Sequence, residues 1–356
     1  MLKALVLSGG GARGAYEAGV AKSLLAREHY DLVCGVSIGG INAALIAAGK
    51  SPNALEEFWL DSFPSQVPRL FPHVPRLRRL VNDLGALGVG GPWDNAMRFM
   101  RTAAEIRLFR QLGRIHRTML PAVAQALDAM VSFDDLKSSL LVGATNVSRG
   151  TAAAFHAFME PPNHPAHRQA HIKTTEYREM TEEQFIMMLL ASSAMPGLFS
   201  PIELEFLGHR SQYADGCIVY NSPLSLAIDS GATEITVVFV DPPYEAGGEG
   251  ENSIAQMAGN IVLLWQQRSL DYEVRLAQAT NEIIRLGGDT AKRYISIRFV
   301  RPEKPMALDI LAFDDTAGMA EAFHAGVADG AQTPTYSLEH PVMSEAHTPW
   351  SARKLA

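Results

Sequence analysis

The first 50 residues alternate strand, turn and helix twice, and this pattern constrains the fold more than any other feature of the chain. Lys3-Ala-Leu-Val-Leu7 is a short apolar strand that runs into Ser8-Gly-Gly-Gly11, and Gly14 to Arg27 reads as a helix with Val20, Leu24 and Leu25 on one side. Asp31-Leu-Val-Cys34 begins a second strand. Ile38 to Ala48 is a small-residue helix that closes at Gly49, in the position of a C-cap glycine. Strands joined through helices run parallel, so the pattern predicts an α/β protein with a parallel sheet and covering helices. With 356 residues, 47% hydrophobic and 19% charged, the chain can bury a sizeable core. One α/β domain over 1–340 is expected, with a loose tail at 341–356.

Several function classes drop out on composition. Cys34 and Cys217 are the only cysteines, too few for a disulfide scaffold or a multi-cysteine metal site. A net charge of −7 argues against a nucleic-acid binder. No apolar run is long enough to span a bilayer, and Met1 to Leu7 does not read as a signal peptide, so a cytoplasmic location is the default expectation.

Residues 61–130 interrupt the α/β rhythm and read as a helical insertion or cap. From Ser65 to Leu120 there are ten arginines and three acids, net +7, which leaves −14 for the rest. Arg107, Arg110, Arg114 and Arg117 share one helical face, with Leu108, Leu112 and Ile115 opposite. Two readings stand: a solvated helix packed on the core, or a cap over a site that touches anionic lipid headgroups.

The sheet pattern then returns at Leu140 to Thr145, Ala152 to Phe158, Glu234 to Val240 and Tyr294 to Val300. Thr181 to Ser192 reads as a helix with Thr181 as N-cap and Gln184 three residues on. Residues 245–340 read as C-terminal helices plus one strand: a helical pattern from Ser253 to Leu286, broken near Gly259, and a closing helix capped by Phe313-Asp-Asp315. His164, His167 and His171 have the spacing of ligands on a helix, but Pro161, Pro162 and Pro165 favour a polar loop, and no metal or cofactor is expected.

The loop Gly9-Gly10-Gly11-Ala12-Arg13-Gly14 follows a strand and opens a helix, so its backbone N–H groups can approach an anion. Ala15 stands where a phosphate-binding loop needs lysine. The dinucleotide fingerprint G-x-G-x-x-G matches in letters, which keeps a nucleotide-binding oxidoreductase as an alternative. Its acidic partner is misplaced, because Asp31 precedes the second strand. The third reading is an oxyanion hole, and the plain alternative is a tight turn that merely needs glycine.

Gly35-Val36-Ser37-Ile38-Gly39 is a G-x-S-x-G turn set between an apolar strand and a small-residue helix, the context of a nucleophile elbow. A plain N-cap serine is the simpler reading. Both loops follow strands at the same end of a parallel sheet, where ligand sites lie. None of the eleven histidines sits in an evident triad motif. Asp215-Gly216, within Tyr213-Ala-Asp-Gly-Cys217, is the better partner for the serine, although Asp-Gly is ordinarily a turn signal.

Taken together, Gly9 to Gly14, Gly35 to Gly39, Ala191-Ser-Ser-Ala-Met-Pro196 with Phe199 and Pro201, and Asp215-Gly216 followed by Asn221 and Pro223 resemble the patatin-like phospholipase family from residue 3 to about 240. The resemblance implies a three-layer α/β/α fold with a mainly parallel central sheet. It also implies a Ser–Asp dyad without histidine, with Ser37 as nucleophile, Asp215 as base, and Gly9, Gly10, Gly11 and Gly14 in the oxyanion loop. Ala12, Arg13, Gly35, Ile38 and Gly39 complete that neighbourhood. The implied activity is lipid acyl hydrolysis on a lipid or fatty-acyl ester, through an acyl-enzyme. A catalytically silent lipid-binding protein would keep the same scaffold. Cys217 departs from the family pattern, which usually has Gly or Ala after Asp-Gly. A carboxylate with a free pKa of about 3.9 is a weak base for a hydroxyl, so such a dyad requires a desolvated pocket.

Overall fold

The computed structural model describes residues 1–70, 124–157, 175–195, 199–220, 222–242, 272–287, 293–332 and 336–337. Its strands are β1 (Leu2–Leu7), β2 (Leu32–Val36), β3 (Ser139–Asn146), β4 (Thr151–Ala157), β5 (Thr175–Glu179), β6 (Ile202–Phe206), β7 (His209–Asp215), β8 (Ala232–Val238), β9 (Ser296–Val300) and β10 (Tyr336–Ser337). Its helices are α1 (Gly14–Leu25), α2 (Ile38–Ala47), α3 (Pro52–Glu57), α4 (Phe63–Leu70), α5 (Phe185–Ser192), α6 (Leu224–Asp229), α7 (272–285) and α8 (Thr316–Ala331).

The ten strands form one sheet: eight run in the order β10-β9-β8-β1-β2-β3-β4-β5, and β7 pairs with β3 and with β6 off that path. The central five, β9-β8-β1-β2-β3, are parallel, while β4 and β10 pair antiparallel at the flanks. From β1 the chain moves one way to β2 and β3, and β8 returns on the other side of β1. In open α/β sheets such a reversal is where ligands bind, here at the carboxyl ends of β1 and β2.

Successive side chains of the central strands point to opposite faces, and both faces are apolar. Leu5 and Leu7 of β1 join one buried cluster with Tyr16 of α1, Ala43 of α2 and Phe323 of α8. Ala4 and Val6 join a second with Leu224 and Leu226 of α6 and Ala277 of α7. Helices therefore cover both sides of a mostly parallel sheet, the α/β/α arrangement expected from the sequence.

The closing helix is where the sequence placed it. Asp315 caps α8 by accepting a hydrogen bond from Gly318 N at 2.9 Å. It packs on α1 at backbone range: a Cβ on Gly19 would lie 2.0 Å from the Phe323 carbonyl, and one on Gly326 2.1 Å from that of Tyr16. Gly49, at φ 69°, ends α2 as anticipated, with Lys50 N donating to the Leu45 carbonyl.

One expected start shifts. The helix anticipated from Thr181 begins at Phe185. Gln184 does not reach back to a cap, because its Nε2 donates to the Glu205 carbonyl at 3.0 Å. Other expectations lie outside the described residues: the basic stretch beyond Leu70 with Arg107, Arg110, Arg114 and Arg117, the three histidines from His164 to His171, Gly259, and the tail at 341–356. Among the described residues no group of three or more His, Cys, Asp or Glu side chains could hold a metal ion. No described helix is long and apolar enough to cross a membrane.

Candidate active site

Two strands meet end to end on one edge of β3. β2 pairs with its first part, and the last rung is Val36 against Gly143. β7 runs the opposite way along the same edge, and its last rung is Asp215 against Ala144. Consecutive residues of β3 thus hold the end of β2 and the end of β7, and Ser37 is the next residue after Val36. The result is a hydrogen bond from Ser37 Oγ to Asp215 Oδ2 at 2.7 Å, between residues 178 positions apart.

Ser37 sits at φ 55° and ψ −128°, a backbone conformation that costs a residue with a side chain on the order of 1–3 kcal/mol. The flanking glycines make the turn sterically passable. A Cβ on Gly35 would lie 2.1 Å from the Gly39 carbonyl oxygen, and one on Gly39 2.2 Å from that of Ser8. Although Ser37 occupies the N-cap position of α2, its side chain makes no capping bond. The simple capping role therefore fails.

The strained turn has a brace that sequence reasoning missed. Ser37 N donates to Ser192 Oγ at 2.9 Å, and Ser192 Oγ donates to the Gly143 carbonyl at 2.7 Å. Ser192 is fully buried at the end of α5. Its signal was present as part of Ala191-Ser-Ser-Ala-Met-Pro196, but letters alone assign it no partner. Replacing it with alanine orphans a buried N–H, a loss of about 1–3 kcal/mol. Ser192→Ala is expected to lower both thermal stability and turnover, measured by calorimetry and ester hydrolysis.

Asp215 is 1% exposed. Burial pushes its carboxyl above the ordinary aspartate value, against hydrogen bonds from Cys217 N, at 2.8 Å to Oδ1, and from Ser37. Its backbone is pinned by Ala194 O, which accepts from Asp215 N at 2.9 Å, and by Thr145 Oγ1, which donates to Asp215 O at 2.9 Å. Gly216 permits the turn, since a Cβ there would lie 2.3 Å from the Gly143 carbonyl. Burial and the adjacent Asp215 raise the Cys217 thiol well above its usual value, so it stays protonated.

The glycine loop lies over this pair. A Cβ on Gly9 would stand 2.0 Å from Cys217 Sγ and 3.3 Å from Ser37 Cβ. Three of the loop amides are already paired. Ala12 N is spent on Ile310 O at 2.9 Å, Arg13 N on Gly10 O at 3.1 Å, and Gly14 N on Gly11 O. The Arg13 side chain anchors the loop from outside, with Nη1 on Asp241 Oδ1 at 2.6 Å and Nε on Leu308 O at 2.8 Å. The N–H groups of Gly9, Gly10 and Gly11 have no hydrogen-bond partner among the described residues. The first amides of α2, at Ile38 and Gly39, precede the first intrahelical hydrogen bonds in the same way. Asp31 accepts from Lys3 N at 2.8 Å, at the opposite end of β1 from the loop. An acid there cannot serve a nucleotide ribose beside the glycines.

Beneath the loop lies a second buried polar group. Glu17 of α1 is fully buried, and Ser8 Oγ and Asn42 Nδ2 contact its two oxygens at 3.1 and 3.2 Å. Burial pushes its carboxyl up to about 8. The folded state therefore holds a proton between the ordinary carboxylate range and that value, where the unfolded chain does not. This contribution to stability is full below the unfolded pKa and is lost as pH rises towards about 8. Urea unfolding at several pH values should show wild type losing stability relative to Glu17→Gln on this climb, on the order of 1.4 kcal/mol per pH unit. A difference independent of pH would contradict a protonated Glu17.

Fold and site together define a class: a mostly parallel α/β protein with a strained serine at a strand-to-helix turn, bonded to a buried aspartate beside a glycine loop. The chain belongs to the patatin-like phospholipase family, whose model matches residues 5–228. Among curated proteins it is similar to a cGAMP-activated phospholipase of Vibrio cholerae, 29% identical over 247 residues that cover 62% of this chain and 55% of the relative. A cGAMP-activated phospholipase of Escherichia coli is 28% identical over 235 residues, covering 62% and 53%. The chain thus spans about half the length of these two relatives. Among solved structures, VipD from Legionella pneumophila is similar over 92% of this chain and 66% of that one, at 12% identity and a TM-score of 0.36.

Proposed function

We propose that this chain hydrolyses carboxylic esters of lipids through an acyl-enzyme on Ser37. The observation that carries the reading is the 2.7 Å hydrogen bond from Ser37 Oγ to the buried Asp215 carboxylate. Family membership supports a lipid substrate.

In the proposed reaction Asp215 Oδ2 takes the Ser37 proton as Oγ attacks the ester carbonyl carbon. The carbonyl oxygen becomes an oxyanion held by amides of Gly9, Gly10 or Gly11 and of Ile38. Collapse breaks the ester bond, and the proton on Asp215 passes to the departing alcohol. Water then attacks the acyl-enzyme, Asp215 takes its proton, and the fatty acid leaves as the proton returns to Ser37. Burial makes Asp215 a stronger base than a solvated carboxylate, which suits this role. It also sets the acid limb: activity should fall as pH drops through the raised Asp215 value, since a protonated carboxyl cannot accept.

The test is a panel of phospholipids, lysophospholipids and short p-nitrophenyl esters with product identification, alongside a serine-directed fluorophosphonate. Labelling at Ser37 with release of fatty acid supports the reading. No labelling and no product from any ester would refute it, leaving a silent lipid-binding scaffold. The net charge of +7 over residues 65–120 adds a membrane-facing expectation. Liposome binding should rise with anionic lipid and fall with salt, and binding indifferent to both would remove that role from the segment.

A further inference from the structure

Glu17 has no part in the dyad, yet it links the two halves of the site. Its Oε1 meets Ser8 Oγ at 3.1 Å, and Ser8 directly precedes Gly9, the glycine that rests on Ser37. Its Oε2 meets Asn42 Nδ2 at 3.2 Å, and Asn42 lies one turn along the helix that Ser37 opens. Asn42 Nδ2 also donates to the Gly14 carbonyl at 3.0 Å, and Asn42 Oδ1 accepts from Trp59 Nε1 at 2.9 Å. Ser8, Glu17, Asn42 and Trp59 are all at most 1% exposed. One carboxyl thus bridges the glycine loop and the nucleophile helix.

We propose, resting on the hydrolase reading above, that Glu17 is a positioning residue that works as a neutral carboxylic acid, and that its ionisation disables the site on the alkaline side. Full burial without a compensating cation among the described residues favours the neutral form, and the hydrogen-bond partners accommodate it. Asn42 Nδ2 is a donor, so Oε2 accepts. Ser8 Oγ donates to Oε1 when the carboxyl is ionised, and a hydroxyl can reverse that role, so that Oε1 carries the proton and donates to Ser8 Oγ. No cation compensates an ionised Glu17 among the described residues. On α1, Arg13 is taken by Asp241 and Leu308 O, Lys22 by Glu56, and the Tyr16 hydroxyl by Asp329. Helix α2 carries no titratable side chain, and Asp61, beyond Trp59, is exposed. Asp215 is engaged by Ser37 and Cys217 N, and the Cys217 thiol is a neutral group whose own titration feels the Glu17 charge. A proton lost here, with the carboxyl pushed up to about 8, puts an unpaired negative charge behind the loop where an oxyanion must form.

Glutamine reproduces the neutral acid, with Oε1 accepting from Asn42 and Nε2 donating to Ser8. The experiment uses the full chain as wild type, Glu17→Gln and Glu17→Leu. It follows hydrolysis of a short p-nitrophenyl ester and the rate of fluorophosphonate labelling between about pH 6 and pH 9.5. The protonated-carboxyl infrared band lost in Glu17→Gln is titrated over the same range. Wild type is expected to fall about tenfold per unit above a midpoint near pH 8. Glu17→Gln should restore near wild-type rates at neutral pH and lose that limb, while Glu17→Leu should be slow at every pH. The proposal is overturned if Glu17→Gln keeps the limb at the same midpoint, or if the infrared band shows Glu17 already ionised at pH 6. Should Glu17→Leu not fold, the glutamine profile decides by itself. A neutral Glu17 in a chain that labels at no pH keeps the protonated bridge and sinks the hydrolase reading instead.

Discussion

Ser37→Ala and Asp215→Asn should each reduce ester hydrolysis by about 10⁴-fold or more, with the fold intact. Ser37→Ala deletes one buried oxygen from a strained turn that Gly35, Gly39 and Ser192 still hold. Asparagine at 215 can keep the bond from Cys217 N and present its amide to Ser37 Oγ, but it cannot take a proton. Because the two groups act as one unit, the double variant should be no slower than the singles. Circular dichroism and thermal unfolding check the fold. Asp215→Asn should unfold no more easily than wild type, since it removes a carboxylate whose burial is unfavourable. Undiminished turnover by either purified variant would refute the assigned roles.

Gly9→Ala is expected to cost about 10²–10³ in rate, the scale of losing an oxyanion donor. The new methyl would stand 2.0 Å from Cys217 Sγ, so the loop or the cysteine must move. The loop cannot yield freely. Its far side is tied by Ala12 N to Ile310 O and by Arg13 to Asp241 and Leu308 O. The displacement therefore falls on the Gly9 amide or on the Cys217 N–H that supports Asp215. Removing the obstacle tests this account. In Gly9→Ala/Cys217→Gly the closest remaining contact is Ser37 Cβ at 3.3 Å, tight but adjustable by a few tenths of an ångström. The double variant should recover most of the lost rate, a strong positive coupling between contacting residues. Equal rates for the single and the double would show that the Cys217 contact is not what limits the loop.

Much of the site was legible because its elements are local. The strand–turn–helix around Ser37 and the glycine run after β1 are short-range patterns, and their steric reasons lie within a few residues: Gly35 against the Gly39 carbonyl, Gly11 at φ 57°. Asp215 was less legible. Asp-Gly reads as a turn, and it does start one, since Asp215 Oδ1 accepts from Cys217 N. Its setting after strand-like residues made it the better candidate, and the family resemblance gave it a role. Ser192 and Glu17 were passed over. A serine at a helix end and a glutamate in a helix first turn are unremarkable in sequence, and what distinguishes them here is burial beside partners far along the chain. The Thr181 cap failed for the same reason, because Gln184 found the Glu205 carbonyl.

The sequence by itself determined the α/β class, the two glycine-bearing turns, and the carboxyl end of the sheet as the place for chemistry. These follow from side-chain periodicity and from backbone sterics that act over a few residues. Tertiary structure alone decided that β2 and β7 end against each other on one edge of β3, which brings a hydroxyl and a carboxylate 178 residues apart within 2.7 Å. It also decided which loop amides are spent and which remain as donors. Such matters depend on strand pairing and desolvation between distant segments, where the free energy comes from surfaces that exist only once the whole sheet has assembled.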